Sequence, residues 1–319
     1  MRAAVVNELG SVPVLTDREE PDDPARAVVD LRSAALNPVD LAIAGGRFPI
    51  GSPPVPYVPG VEAVGTVVRS SRFPAGTRVF AFGKGLGLAT DGTFAERFLA
   101  PEEALYEVPA EIDDARAVAF GVPGLAAWLP LTWLTQVQNG EGVLILGATG
   151  SLGSVAIQAA KLLGAGRVVG VGRNPERLAR AREYGADVTV EIGPDLAGRI
   201  GVAFEEAGPT LVIDGLWGEP VVAALTACAP GARIVQLGQS AGPEATIPSG
   251  LVRGKQLRIL GFTDFAVPAE ALATGYRELL GHVAAGKILL DVETLPLDRL
   301  HDAWARQAQG EGVKLVLTP

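Results

Sequence analysis

Cysteine is nearly absent from this 319-residue chain: Cys228 stands alone. One thiol excludes a disulfide framework and a cysteine-built zinc site, and in Ala-Cys-Ala-Pro it reads as a small core residue. Histidine is almost as scarce. His282 and His301 lie far from any acidic cluster at ligand spacing, so each reads as an ordinary surface or core side chain. Basic blocks are missing too. The chain carries 27 Lys and Arg against 36 Asp and Glu, a formal charge of −9, and such a surface repels a phosphate backbone. That argues against a nucleic-acid partner but leaves room for a local basic pocket. Long apolar runs are lacking as well. The richest stretch, 143–172, is broken by glycines, Lys161 and Arg167, short of the ~18 uninterrupted residues a membrane span needs. The N-terminal MRAAVVNELG shows no apolar core of a secretion signal. Together these absences predict a soluble, cytoplasmic protein.

What is present is apolar and periodic. Hydrophobic residues make up 48% of the chain and charged residues 20%, enough for a sizeable core, and the length favours two domains. From 143 onward, apolar runs alternate with helical patterns. The runs are VLILG (143–147), RVVGVG (167–172), DVTVEI (187–192), LVIDGL (211–216), RIVQLG (233–238) and LRILGF (257–262). Strands that are apolar on both faces and alternate with helices imply a parallel sheet covered on both sides. Six of them match a complete dinucleotide-binding Rossmann fold.

The first 115 residues read differently, as short β-runs punctuated by glycine and proline, which predicts a β-rich, barrel-like domain. The tail is mixed: a helix near 269–285, a strand around 291–294, a helix over 298–309 and a last strand in VKLVL. The expected organisation is therefore α/β, with a doubly wound Rossmann domain at 118–263 inserted into a domain built from 1–117 and 264–319.

The sharpest motif is GATGSLG, directly behind the first of the six runs. Gly147, Gly150 and Gly153 allow a tight turn, backbone approach to a pyrophosphate, and close packing of helix on strand. The helix N-terminus adds partial positive charge where phosphates would sit. Thr149, Ser151 and Leu152 line the same loop. Glycine triplets also occur in purely structural turns, but the strand before and helix after favour a nucleotide. The end of the second run chooses the cofactor. An NAD site would carry Asp or Glu there, whereas this chain has Gly172 followed by Arg173. A guanidinium can pair bidentately with the 2′-phosphate of NADPH. Arg177, in the first turn of the next helix, could reach the same group. Each arginine also has a plain reading as a solvated helix-end residue.

Across nearly its whole length the chain resembles the zinc-independent quinone-oxidoreductase branch of the medium-chain dehydrogenases/reductases. The resemblance rests on AALNPVDLAIAGGRFP (34–49), VPGVEAVGTVV (58–68), GTRVFAFG (76–83), GTFAERFLAP (92–101), GVPGLAAW (121–128), GATGSLG (147–153), LVIDGLWG (211–218), QLGQSAG (236–242) and GVKLVL (312–317). It implies a GroES-like catalytic domain around the Rossmann unit. Zinc-dependent relatives carry a cysteine in the Asn37 region and a histidine before the glutamate of Gly-His-Glu. This chain has Gly60-Val61-Glu62 instead, and the four-cysteine lobe is missing.

By resemblance, then, the activity is NADPH-dependent hydride transfer to a quinone or an activated C=C bond. An enoyl-thioester reductase, or a nicotinamide-binding protein without turnover, is the alternative. Asn37 would face the nicotinamide ribose, although Asn37-Pro38 with Asp40 at the third helical position also reads as a helix cap. Phe48 stands where relatives often carry a tyrosine, beside Asp40 in the segment expected to line the substrate pocket. Tyr57 is the nearest remaining phenol and a candidate catalytic residue, with packing at a strand entrance as its plain reading; the proton source stays open between it and water. Leu237, Gly238 and Gln239 follow the fifth run; Phe262 and Thr263 follow the sixth, toward the nicotinamide. The sixth strand is an apolar edge, and in this family two such edges pair, so a homodimer is expected.

Overall fold

The computed structural model describes all residues, 1–319, and the chain divides into two compact units. One comprises Pro123–Val267 and Ala285–Leu290; the other comprises Met1–Val122, Pro268–Ala284 and Asp291–Pro319.

The first unit is built on six parallel strands, and every one coincides with an apolar run of the sequence. Their spatial order is Val188–Glu191, Arg167–Gly172, Gly142–Leu146, Leu211–Asp214, Arg233–Gln236 and Arg258–Gly261. That is the 3-2-1-4-5-6 order of a doubly wound sheet, and the direction of winding reverses between Gly142–Leu146 and Leu211–Asp214. Helices follow five of the strands, at Ser151–Leu162, Pro175–Glu183, Leu196–Ala203, Gly218–Ala227 and Ser249–Lys255. Short polar residues start two of them. Asn174 accepts the Arg177 N–H at 3.0 Å and Asp195 accepts the Gly198 N–H at 3.2 Å. One face of the sheet, with Leu144, Leu146, Val169 and Val171, packs against Ile200, Phe204, Val221 and Leu225. Each such side chain, fully withdrawn from water, contributes roughly 1.5–3 kcal/mol. Cys228 lies in the same cluster, 2% exposed, and burial pushes its thiol up to about 12.

The second unit carries a seven-stranded mixed sheet. Its order is Val292–Pro296, Lys314–Thr318, Ala27–Ala35, Glu62–Arg69, Arg78–Phe82 and Leu105–Glu107, with Arg97–Ala100 also pairing to Ala27–Ala35. The central strand, Ala27–Ala35, is irregular against Glu62–Arg69, with register shifts at Val28/Val29 and Leu31/Ser33. Such bulges curl a sheet. Gly65 sits inside that pairing because a Cβ there would meet Val29 Cγ1 at 2.4 Å and the Asp30 oxygen at 2.6 Å. The helix Ala269–Ala284 is tied to this sheet by Tyr276. Its ring stacks on Phe80 with centroids 4.4 Å apart, and its hydroxyl donates to the Ala117 oxygen at 2.9 Å. The last strand, Lys314–Thr318, joins Ala27–Ala35 and so brings the C-terminus beside residues 34–36.

Candidate active site

Two constellations carry the chemistry, one in each unit. In the Rossmann unit the loop after Gly142–Leu146 adopts the geometry the glycines were read for. Gly147 has φ +85°, a conformation that L side chains rarely adopt. Gly153 lets the helix Ser151–Leu162 lie on the strand, since a Cβ there would meet the Gly147 oxygen at 2.2 Å and Ala148 Cα at 2.6 Å. Gly150 has open space around its Cβ position, with only the Gly147 oxygen, at 3.7 Å, within reach. It is the N-cap of the helix. Ser151 and Leu152 are the first two residues of that helix, and Thr149 precedes its cap.

Gly172 closes the neighbouring strand and is paired with Glu191 across the sheet. A Cβ there would meet Thr149 Cγ2 at 2.6 Å and Leu178 Cδ2 at 3.1 Å, so any side chain would require Thr149 to shift. The position where an NAD-type site carries a carboxylate is a glycine in this chain. Arg173 follows directly and is exposed, and Arg177 opens the helix Pro175–Glu183. Leu237, Gly238 and Gln239 come just after Arg233–Gln236, and Phe262 and Thr263 just after Arg258–Gly261, all at the C-terminal edge of the parallel sheet. That is the edge where open α/β sheets bind ligands.

The second constellation is a buried ionic cluster formed by Asn37, Asp40, Glu62 and Lys314, each at most 3% exposed. Asn37 occupies the N-cap of the helix Pro38–Ala44, with Pro38 at its first position, as the sequence reading expects. Its amide, however, turns to the ions. Nδ2 donates to Glu62 Oε1 at 2.7 Å and to the Ala35 oxygen at 3.2 Å, and Oδ1 accepts from Lys314 Nζ. Lys314 also donates to the Leu36 oxygen at 3.0 Å and lies 3.8 Å from Glu62 Oε1. Asp40 accepts the Asn37 N–H at 2.8 Å and the Val61 N–H at 3.0 Å. Glu62 accepts the Val122 N–H at 2.6 Å, and Gly121 must be glycine because a Cβ would sit 2.0 Å from Glu62 Oε2.

Two carboxylates share one ammonium in this cluster, and none of the three reaches water. Burial is the main perturbation of each group. It raises Asp40 to about 7, with the Glu62 charge adding to the rise; it raises Glu62 as well; and it lowers Lys314. Burial therefore favours protonated forms of both carboxylates within this coupled cluster.

Tyr57 is 2% exposed, its strand bridge to Val6 fixes its backbone, and its hydroxyl has no hydrogen-bond partner in the chain. Burial and the Asp40 charge push this phenol upward. Phe48 is half-buried in the exposed segment that follows the helix Pro38–Ala44. The cluster thus brings together Asn37 and Asp40, with Asp40 felt at Tyr57. Of its other two members, Glu62 enters the sequence reading only as the glutamate of Gly60-Val61-Glu62, and Lys314 does not enter it. The signal for Lys314 was a lone charge inside the apolar strand KLVL; its partners lie 277 and 252 positions away, which no periodicity reveals.

Comparison with known proteins places the chain. The alcohol dehydrogenase GroES-like domain matches residues 23–110 and the zinc-binding dehydrogenase domain matches residues 151–273. Quinone oxidoreductase from Lama guanicoe is 29% identical over 279 residues, covering 85% of this chain and 82% of that one. A solved NAD-dependent alcohol dehydrogenase is 28% identical, with TM-score 0.89 over the full length of both chains. Escherichia coli quinone oxidoreductase, solved in complex with NADPH, superposes with TM-score 0.89 over both full lengths; at 22% identity that likeness concerns the fold. The chain is an oxidoreductase of the medium-chain dehydrogenase/reductase superfamily, a GroES-like domain joined to a Rossmann domain. Quinone oxidoreductases are among its relatives.

The zinc in the second domain's description finds no match in these residues. No group of three or more His, Cys, Asp or Glu side chains is placed to hold a metal. Asn37 and Val61 stand where the metal's ligands would be expected, and the oxygens of Glu62 are taken by Asn37 and Val122. No helix is long and apolar enough to cross a membrane.

Proposed function

We propose that this protein is an NADPH-dependent, zinc-independent reductase of quinones or activated C=C bonds. The observation that carries the cofactor choice is the edge at Gly172-Arg173. Relatives of this fold include both an NAD-dependent and an NADPH-bound protein, so likeness alone does not choose. Gly172 presents no acidic side chain to repel a 2′-phosphate, and the exposed guanidinium beside it supplies the charge that the phosphate requires. Gly147, Thr149, Gly150, Ser151, Leu152 and Gly153 would hold the pyrophosphate on backbone N–H groups. Leu237, Gly238, Gln239, Phe262 and Thr263 would border the nicotinamide half. When bound, NADPH supplies the hydride.

The choice of acceptor follows from what the chain does not offer. Without a metal to polarise a carbonyl, the acceptor must delocalise its own developing charge, as quinones and enones do. Asn37 already uses both amide N–H groups inside the chain, which supports a positioning role. Tyr57 is shut away from water with its phenol hard to ionise. A reduced quinone takes protons from solvent and needs no dedicated acid, so the quinone reading is favoured over enoyl-thioester reduction. The open edge of the strand Arg258–Gly261 supports a homodimer.

The test is NADPH consumption with a small ortho-quinone, an acyclic enone and an enoyl-CoA, each repeated with NADH and with Arg173→Ala. Quinone-dependent oxidation that prefers NADPH, with the preference lost in the variant, is the expected result. Turnover only with the thioester moves the protein to that chemistry. NADPH binding without turnover on any acceptor sinks the reductase reading.

A further inference from the structure

The turn after the fourth Rossmann strand holds a residue that local energetics disfavour. Trp217 has φ +56° and ψ −155°, a backbone region populated essentially by glycine. A non-glycine residue persists there only when its surroundings over-determine the turn. They do. Asp214 Oδ1 accepts the N–H of Leu216 at 2.8 Å and of Trp217 at 3.0 Å. The Ala241 N–H donates to the Leu216 oxygen at 2.8 Å, and Ser240 Oγ donates to the Gly215 oxygen at 3.1 Å. Gly218 then turns with φ +62° directly under the Ala241 oxygen.

Location gives the strain a purpose. Leu211–Asp214 is one wall of the point where the sheet's winding reverses, and the glycine loop behind Gly142–Leu146 is the other. The two walls touch: Leu216 Cδ2 lies 3.3 Å from the Cβ position of Gly147. The indole is half-buried and packs on the cluster that also receives Ile192, just beyond the third strand. Ile192 donates its N–H to the Gly172 oxygen at 2.8 Å, so this flank adjoins Gly172-Arg173. Trp217 follows Leu216 in this turn, and its half-buried indole lies on the sheet face whose apolar cluster extends to Ile192, the residue bonded to Gly172.

We propose that Trp217 is a stacking wall for the purine of the dinucleotide, held by the Asp214 turn, and that it fixes the adenosine end while Arg173 reads the 2′-phosphate. The assignment rests on the NADPH reading above and names residues of this chain that set its affinity. A nicotinamide-side role for Trp217 is the competing outcome.

The experiment uses the full chain and 2′,5′-ADP, the adenosine end of NADPH without its nicotinamide, followed by tryptophan emission and by calorimetry. Wild type is expected to bind 2′,5′-ADP with a change in indole emission. Trp217→Leu should lose that change and bind both 2′,5′-ADP and NADPH about tenfold more weakly, in line with base–aromatic stacking. Trp217→Phe should keep most of the affinity, which separates stacking from a folding defect; thermal melts of both variants report the fold. If Trp217→Leu, folded, binds 2′,5′-ADP as wild type does, the stacking assignment is wrong. If it weakens NADPH but leaves 2′,5′-ADP unchanged, the residue serves the nicotinamide half and the assignment is also wrong. If wild type binds neither ligand, the NADPH reading itself falls.

Discussion

At the residue scale, Arg173 and Asp40 test the two constellations separately. Arg173 contributes charge at an exposed position, so its removal should leave the fold alone. A charge-assisted contact to a phosphate is worth roughly 1.5–3 kcal/mol. Arg173→Ala should therefore weaken NADPH by about tenfold or more and leave NADH unchanged, as measured by paired binding titrations. Equal weakening of both would mean that Arg173 does not read the 2′-phosphate. Asp40 works through pH. Its folded-state value, about 7, lies above the ordinary 3.8, so the native state keeps a proton that the unfolded chain releases. The stabilisation is present at low pH, fades as pH rises from ~4 through ~7, and is gone above. Urea unfolding at a series of pH values should show stability declining over that interval by an amount on the order of a few kcal/mol. Asp40→Asn should flatten the decline even though it also loses one acceptor for the Asn37 or Val61 N–H. An unchanged slope in the variant would place the titration elsewhere, with Glu62 the next group to examine.

At the element scale, the chain shows which features local sequence encodes. The six Rossmann strands were legible because strands covered on both faces must be apolar throughout, and the helix at 269–284 because its face repeats every three to four residues. The glycine loop was legible because its geometry admits no other residue at Gly147 and Gly153. The ionic cluster was not. Its members sit on three elements, the helix Pro38–Ala44 with its cap, the strand Glu62–Arg69 and the final strand, and only the pairing of Lys314–Thr318 with Ala27–Ala35 brings Lys314 to Asn37. Trp217 was invisible for another reason: nothing in the letters LWGEP announces a left-handed tryptophan. The same physics predicts the cost of breaking the cluster. Lys314→Met fills the volume but leaves two buried carboxylates without a counter-charge, and losing one partner of a buried ion pair costs about 3–5 kcal/mol. Equilibrium denaturation should register that loss, larger at pH 8 than at pH 6, because Asp40 is ionised at the higher value. A variant as stable as wild type at pH 8 would show that the cluster is already neutral without Lys314.

At the scale of the whole molecule, the sixth Rossmann strand is unfinished. Arg258–Gly261 pairs with Arg233–Gln236 on one side and with nothing on the other. Ile259 is 38% exposed on it, and Arg258 and Gly261 are exposed as well. A free edge is a template for another strand unless charge, proline or a covering segment blunts it, and here only Arg258 does so. Two copies related by a two-fold axis can pair this edge antiparallel, joining two six-stranded sheets into one and satisfying the open N–H and C=O groups reciprocally. Replacing Ile259 with proline removes one donor from the edge and sets the backbone against pairing. Sedimentation velocity should then find the wild type as a dimer and Ile259→Pro shifted toward monomer. Affinity for 2′,5′-ADP, the adenosine half, should be preserved, because the dinucleotide loop and Arg173 follow strands separated from this edge by at least two others. A variant that stays dimeric would assign the dimer to another surface, and a wild type that sediments as a monomer would leave this edge to be protected by Arg258 and its own twist.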